Sequence, residues 1–133
     1  MATEYLFDTH AWMWAFSDTT RLSRAARKAL AASSAAYIAS ISFWEVAMLE
    51  AKGRIQLPIP LLEWFRLASP YNLIKVLQLS PEIAIESTRL PGIFHPDPAD
   101  RIIVATARVH SLTIITSDAR IRNYPHISTL AAG

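Results

Sequence analysis

At 133 residues the chain has the length of one domain and space for one core. With 52% hydrophobic against 18% charged residues it can bury a substantial core, which excludes a disordered, charge-rich polypeptide. The absence of cysteine removes disulfides, thiolate metal sites and a cysteine nucleophile together, and a net charge of +2 is too small to mark a polyanion binder by bulk field.

The first five residues carry Glu4 and no basic cluster, unlike a secretory leader. The charge-free run over 29–44 is interrupted by Ser33, Ser34, Ser40 and Ser42 and falls short of the roughly 20 apolar residues of a membrane span. The expectation is a cytoplasmic chain that makes no membrane contact.

Residues 4–7 read as a short buried strand ending at Asp8, and residues 9–16 as a helix that starts directly after it. A polar turn over 17–20 leads to an amphipathic helix over 22–32, with Arg and Lys on one face and Leu22, Ala26, Ala29 and Leu30 on another. Residues 37–39 read as a second strand. The spacing of Phe43, Val46, Ala47 and Leu49 predicts a helix over 42–52, stopped by Gly53. After a loop marked by Pro58 and Pro60 come a helix over 61–68, a strand over 73–77 and a helix opened by Ser80-Pro81, proline being well placed in a first helical turn. Pro91-Gly92 and His95-Pro96-Asp97-Pro98 make the most turn-rich stretch, followed by an apolar helix over 99–110 and the clearest strand, 112–116. A short helical turn from Ala119 and a strand near 127–130 complete the alternation. The expected fold class is α/β, with a mainly parallel central sheet covered by helices on both faces.

In such a sheet ligands collect at the carboxyl ends of the strands, and acids stand at those junctions: Asp8, Asp118, and the pair Asp97 and Asp100 around the start of the long helix. Each has a local alternative, because Asp8, Asp97 and Asp118 suit helix N-caps and Asp100 suits a first turn favoured by the dipole. Glu45 is different. Ile41, Met48 and Leu49 share its helical face, and no basic residue follows on that face before Lys52. A desolvated carboxylate there needs a proton, a partner from elsewhere or a cation, and the cation is preferred. Several carboxylates converging on one edge also require a neutralising ion. With oxygen ligands alone Mg²⁺ or Mn²⁺ fits, and a phosphodiester substrate suits the positions left over. His95, His110 and His126 lack the spacing of a zinc site.

Four stretches stand in order along the chain: Leu6-Phe7-Asp8-Thr9-His10, Ser40-Ile41-Ser42-Phe43-Trp44-Glu45 running on to Lys52-Gly53-Arg54-Ile55, His95-Pro96-Asp97-Pro98-Ala99-Asp100-Arg101, and Ile115-Thr116-Ser117-Asp118. Together they resemble PIN-domain ribonucleases, and most closely the VapC-type toxins of toxin–antitoxin pairs. The resemblance covers essentially the whole chain. It implies a single PIN domain over 1–133 with a three-layer α/β/α sandwich, and a metal-dependent endoribonuclease using Mg²⁺ or Mn²⁺. Residue by residue it implies Asp8, Glu45, Asp100 and Asp118 as the catalytic and metal-holding quartet. Thr116 becomes a supporting or substrate contact, and Asp97 the cap of the long helix or a further supporting contact. Ser40 and Ser42 both stand open for a part near Glu45, and His10, His95 and Arg101 have no assigned role. The resemblance further implies an RNA substrate, a homodimer, and a cognate antitoxin that wraps apolar helices and places a basic side chain in the acidic pocket. Trp12, Trp14, Trp64 and Phe65 are the candidates for that exposed apolar surface.

Two rival readings use the same acids. One is a catalytically silent binding module in which they are only caps. The other is a phosphotransferase or phosphatase with Asp8 as covalent nucleophile, a chemistry that wants a second acid where this chain has His10.

Overall fold

One or two α-helices separate successive strands, and every strand pairing is parallel, in a computed structural model that describes residues 3–69 and 74–133. In chain order the elements are β1 (Tyr5–Phe7), α1 (Thr9–Ser17), α2 (Arg24–Ala32), β2 (Ala36–Ala39), α3 (Ile41–Ala51), α4 (Leu61–Ala68), β3 (Ile74–Leu77), α5 (Pro81–Thr88), α6 (Pro98–His110), β4 (Thr113–Thr116), α7 (Ala119–Arg122) and β5 (Ser128–Ala131). Their types and order follow the sequence reading, and the boundaries move by a residue or two. The second helix begins at Arg24 rather than at 22 because Ser23 caps it, its hydroxyl accepting from the Ala26 amide at 2.9 Å, while Thr19–Arg21 form a 3-10 turn. Leu73, expected to open the third strand, lies outside the described residues. No helix among the described residues is long and apolar enough to cross a membrane.

Alternation along the strands divides the core. Leu6 and Ile114 pack with Ile83, Ile103 and Val104 on one side of the sheet, and Phe7, Ile38 and Ile115 pack with Trp12, Ala26, Val46 and Trp64 on the other. Both faces are therefore buried, which is why the strands read as near-continuous apolar runs. The sheet order is β3-β2-β1-β4-β5. The chain thus winds outward from β1 in both directions, and the crevice at the carboxyl edge between β1 and β4 is the switch point at which such sheets bind ligands.

The aromatic residues correct one expectation. Trp12 and Trp64, expected at an exposed surface, are 0% and 1% exposed. Trp12 donates its ring N–H to the Ala68 carbonyl at 2.8 Å and meets Phe43 and Trp64 edge to face, with Phe65 stacked beside it. Large rings with one polar handle fill the space between α1, α3 and α4, and Trp14 and Phe65 are partly buried against the same cluster. The exposed apolar side chains of these helices are instead Phe16, Trp44, Leu62 and Leu67.

Trp12→Ala is expected to destabilise the fold by about 3–5 kcal/mol through loss of buried volume. Trp12→Phe, which leaves the Ala68 carbonyl unpaired, is expected to cost about 1–3 kcal/mol. Urea denaturation of the two variants beside the parent chain reads both numbers.

Candidate active site

Asp8 follows β1 directly and caps α1, one carboxylate oxygen accepting from the Ala11 amide at 2.9 Å. Its other oxygen accepts from the hydroxyl of Thr116, the last residue of β4. The same Thr116 oxygen accepts from the Asp118 amide at 3.0 Å, so one hydroxyl ties together the acids that leave two adjacent strands. Asp118 caps α7, accepting from the Arg120 amide at 2.8 Å, and Asp97 caps α6, accepting from the Asp100 amide at 3.0 Å. Glu45 caps nothing. It stands in the second turn of α3 and accepts from the Thr9 hydroxyl, whose oxygen lies 3.0 Å from the buried Ser42 hydroxyl. Between the two open serines the structure thus puts Ser42 beside Glu45, whereas Ser40 accepts from the Leu79 amide at 3.3 Å.

These elements bring Asp8, Glu45, Asp97, Asp100 and Asp118 to the wall of one cleft of about 470 Å³. Carboxylate oxygens of Glu45, Asp97 and Asp100 all lie within 4.8 Å of one another. The expected quartet therefore lines one cleft, but of its members only Glu45 and Asp100 fall in the close group, whose third residue is Asp97, read as a cap or supporting contact. Capping and clustering are compatible because a cap occupies one oxygen and leaves the other free.

With that geometry in place, the chain matches the PIN domain family over residues 5–127. It belongs to the PIN domain family. It is 36% identical over 124 residues to Ribonuclease VapC22 of Mycobacterium tuberculosis, covering 93% of this chain and 94% of that protein. A toxin-antitoxin complex from Klebsiella pneumoniae aligns over 96% of both chains with a TM-score of 0.65 and 26% identity. VapBC2 from Rickettsia felis, bound to a DNA fragment from its promoter, aligns over 96% of this chain and 98% of that one with a TM-score of 0.69; at 14% identity the likeness is one of fold.

Within this PIN domain the acids push on one another's ionisation. Asp100 is pushed up to about 7, chiefly by burial and then by the charges of Asp97, Glu45 and Asp118, with Arg120 opposing. Burial raises Glu45 and Asp8 too, against the hydrogen bonds from Thr9 and from Thr116 and Ala11 respectively. Asp118 goes the other way: burial lifts it, but the hydrogen bonds and charge of Arg120 outweigh that and hold it below the usual carboxylate range. An all-oxygen donor set under mutual repulsion fits a hard divalent cation rather than a soft one.

Other polar side chains surround the acids. His95 brings Nε2 to 3.1 Å from an Asp100 oxygen without the alignment of a hydrogen bond, and both its buried ring nitrogens lack a hydrogen-bond partner among the described residues. Burial and the Arg120 charge hold its pKa down. Arg101 neither enters the cleft nor faces outward. Its guanidinium donates to the carbonyls of Ser87 at 2.9 Å and Phe94 at 3.0 Å, clamping α5 to the loop that carries Asp97. Thr9 and Arg120 were missed in the sequence, although each is a polar residue one or two positions beyond a strand-end acid.

The Asp100 shift has a definite sign. An unfolded aspartate ionises near pH 4, whereas the folded one keeps its proton up to about 7, so its cost to stability grows from pH ~4 and is complete above ~7. In a chelator, the parent protein is expected to melt higher at pH 6 than at pH 8, and Asp100→Asn to flatten that difference while raising the pH 8 melting temperature. Melts of both proteins across this range check it; equal slopes would contradict it.

Proposed function

We propose that this PIN domain is a divalent-metal-dependent endoribonuclease acting as the toxin of a toxin–antitoxin pair in the cytoplasm. The observation that carries the reading is the convergence of Glu45, Asp97 and Asp100 oxygens within 4.8 Å, in a cleft that Asp8 and Asp118 also line. The 36% identity to a VapC ribonuclease supports the substrate class.

Asp8, Glu45, Asp100 and Asp118 are the residues proposed to hold Mg²⁺ or Mn²⁺, with Asp97 beside them. Bound there, the ion offsets carboxylate repulsion and polarises water and phosphate oxygens. The protein's own part is positional: the Thr116 hydroxyl fixes Asp8 and the Thr9 hydroxyl fixes Glu45 on the wall of the same cleft. In the reaction, water adds across one P–O bond of RNA. Its oxygen joins phosphorus, the leaving ribose oxygen takes up a proton, and a phosphomonoester and a hydroxyl result.

A cognate antitoxin is a proposed protein partner, in line with the toxin-antitoxin complex from Klebsiella pneumoniae among the structural neighbours, and a second copy of the chain is another. Phe16, Trp44, Leu62 and Leu67, exposed on α1, α3 and α4, offer apolar area for such contacts. The silent binding module accommodates the three caps but gives Glu45 nothing to do. A nucleophilic Asp8 is disfavoured because that chemistry wants a second acid two residues on, where this chain has His10.

Calorimetric titration with Mn²⁺ and mapping of new RNA 5′ ends on expression with and without the neighbouring gene test the reading together. Asp8→Asn and Glu45→Gln are expected to abolish both the heat of binding and the new ends. Thr116→Val, which removes only a supporting hydroxyl, is expected to weaken Mn²⁺ binding by roughly 10–100-fold. A parent protein that binds no divalent ion and leaves RNA ends unchanged under toxic expression overturns the reading.

A further inference from the structure

Arg120 brings a guanidinium into the acidic cleft. It is the second residue of α7, and its own amide is held by Asp118. From there the side chain turns back: Nε lies 3.4 Å from one Asp118 oxygen, Nη2 lies 3.2 Å from the other, and the same Nη2 is 3.8 Å from Asp100. The side chain is 63% exposed, so ion pairing rather than packing holds it in place. It bridges acids of two separate elements, as a cation in the cleft would.

Resting on the metal-nuclease reading, we propose that Arg120 changes partners during the reaction. It is the counter-ion of Asp118 and Asp100 until a divalent ion takes those acids, and it then pairs with the scissile phosphodiester as a catalytic residue. Three considerations lead there. A guanidinium keeps its charge at any working pH, so it cannot share these carboxylates with a second cation by losing a proton and has to yield. Its stem is free in solvent while its Cα is pinned at the cleft rim, so the head can turn without disturbing the fold. Finally, five carboxylates line the cleft, more than the two charges of a divalent ion offset, and a polyanion entering it needs further positive charge. The planar fork of Arg pairs phosphate oxygens two at a time and strengthens as they gain charge in the transition state.

Arg54 serves as the comparison. Gly53, at φ 69° after α3, reverses the chain so that Arg54 lines the same cleft, yet Arg54 makes no ion pair among the described residues. The test uses the full chain, Mn²⁺ calorimetry, and cleavage of an RNA oligonucleotide at saturating Mn²⁺. Arg120→Ala is expected to bind Mn²⁺ about two- to fivefold more tightly than the parent, the equivalent of losing one exposed ion pair as competitor. It is expected at the same time to lower kcat at saturating Mn²⁺ by roughly tenfold or more, as loss of a transition-state arginine does. Arg120→Lys should restore the Mn²⁺ affinity of the parent but only part of kcat, because an ammonium lacks the fork. Arg54→Ala should change Mn²⁺ affinity less than Arg120→Ala, which separates direct contact from the general field. A merely structural residue would weaken metal binding when removed, so unchanged or weaker Mn²⁺ affinity in Arg120→Ala overturns the exchange. Parent-like kcat in that variant overturns the phosphate role. Failure of the parent itself to bind Mn²⁺ would instead remove the underlying reading, a distinct outcome.

Discussion

Repulsion among carboxylates brought to one edge of a parallel sheet is the constraint around which this fold is arranged. Five acids line a cleft of about 470 Å³, and with all of them ionised the cleft would resist closing. The fold answers with helix N-termini. Asp8, Asp97 and Asp118 each accept an amide from the helix they open, and Asp100 stands in the first turn of α6, where the dipole favours negative charge. Glu45 has no such support, being a full turn inside α3, and the Thr9 hydroxyl stands in for it.

The arrangement follows from topology rather than from any single interaction. In a parallel α/β sheet every helix that leaves a strand starts at the same edge, so the dipole-positive ends that tolerate acids and the loops that display them coincide. With β1 central, the loops after β1 and β4 diverge to opposite layers and open a crevice between them. Thr116 spans that crevice through one oxygen, donating to Asp8 and accepting from the Asp118 amide. A valine could fill the same volume in β4, but it would leave a buried carboxylate oxygen and an amide without partners.

How much of this was legible in the sequence depends on the range of the interaction concerned. Strand and helix types followed from apolar spacing, and the acids stood out because each terminates a strand or opens a helix. Glu45 could be singled out because its helical neighbours are apolar. What the sequence concealed is side-chain direction across elements. Trp12 and Trp64 look like surface anchors in isolation, and only the meeting of α1 with α4 buries them against each other. Arg101, adjacent to an acid, has no role that the sequence assigns, and its part emerges only when its guanidinium is seen bound to the carbonyls of Ser87 and Phe94. The resemblance sets Asp97 apart from the quartet because its third acid falls at Asp100, and only the folded chain shows an oxygen of Asp97 close to those of Glu45 and Asp100.

The division of protonation behaviour among the acids also has a structural logic. Asp8, Glu45 and Asp100 are all driven toward their neutral forms, and burial is the leading cause in each. Asp118 alone departs in the other direction, and it is the acid held by Arg120 at the rim. Arg120 thus sits closest to the rim acid Asp118 and reaches Asp100 only at 3.8 Å, through a side chain that is exposed and replaceable. A cleft built this way is poised for an external charge: an entering cation meets its strongest electrostatic demand among Asp8, Glu45 and Asp100, whose carboxylates burial drives toward the neutral form. On the proposed reading, a cation bound there weakens the ion pairs by which Arg120 spans Asp118 and Asp100, so that metal binding and the release of a basic side chain toward an anionic substrate are two consequences of the same charge imbalance.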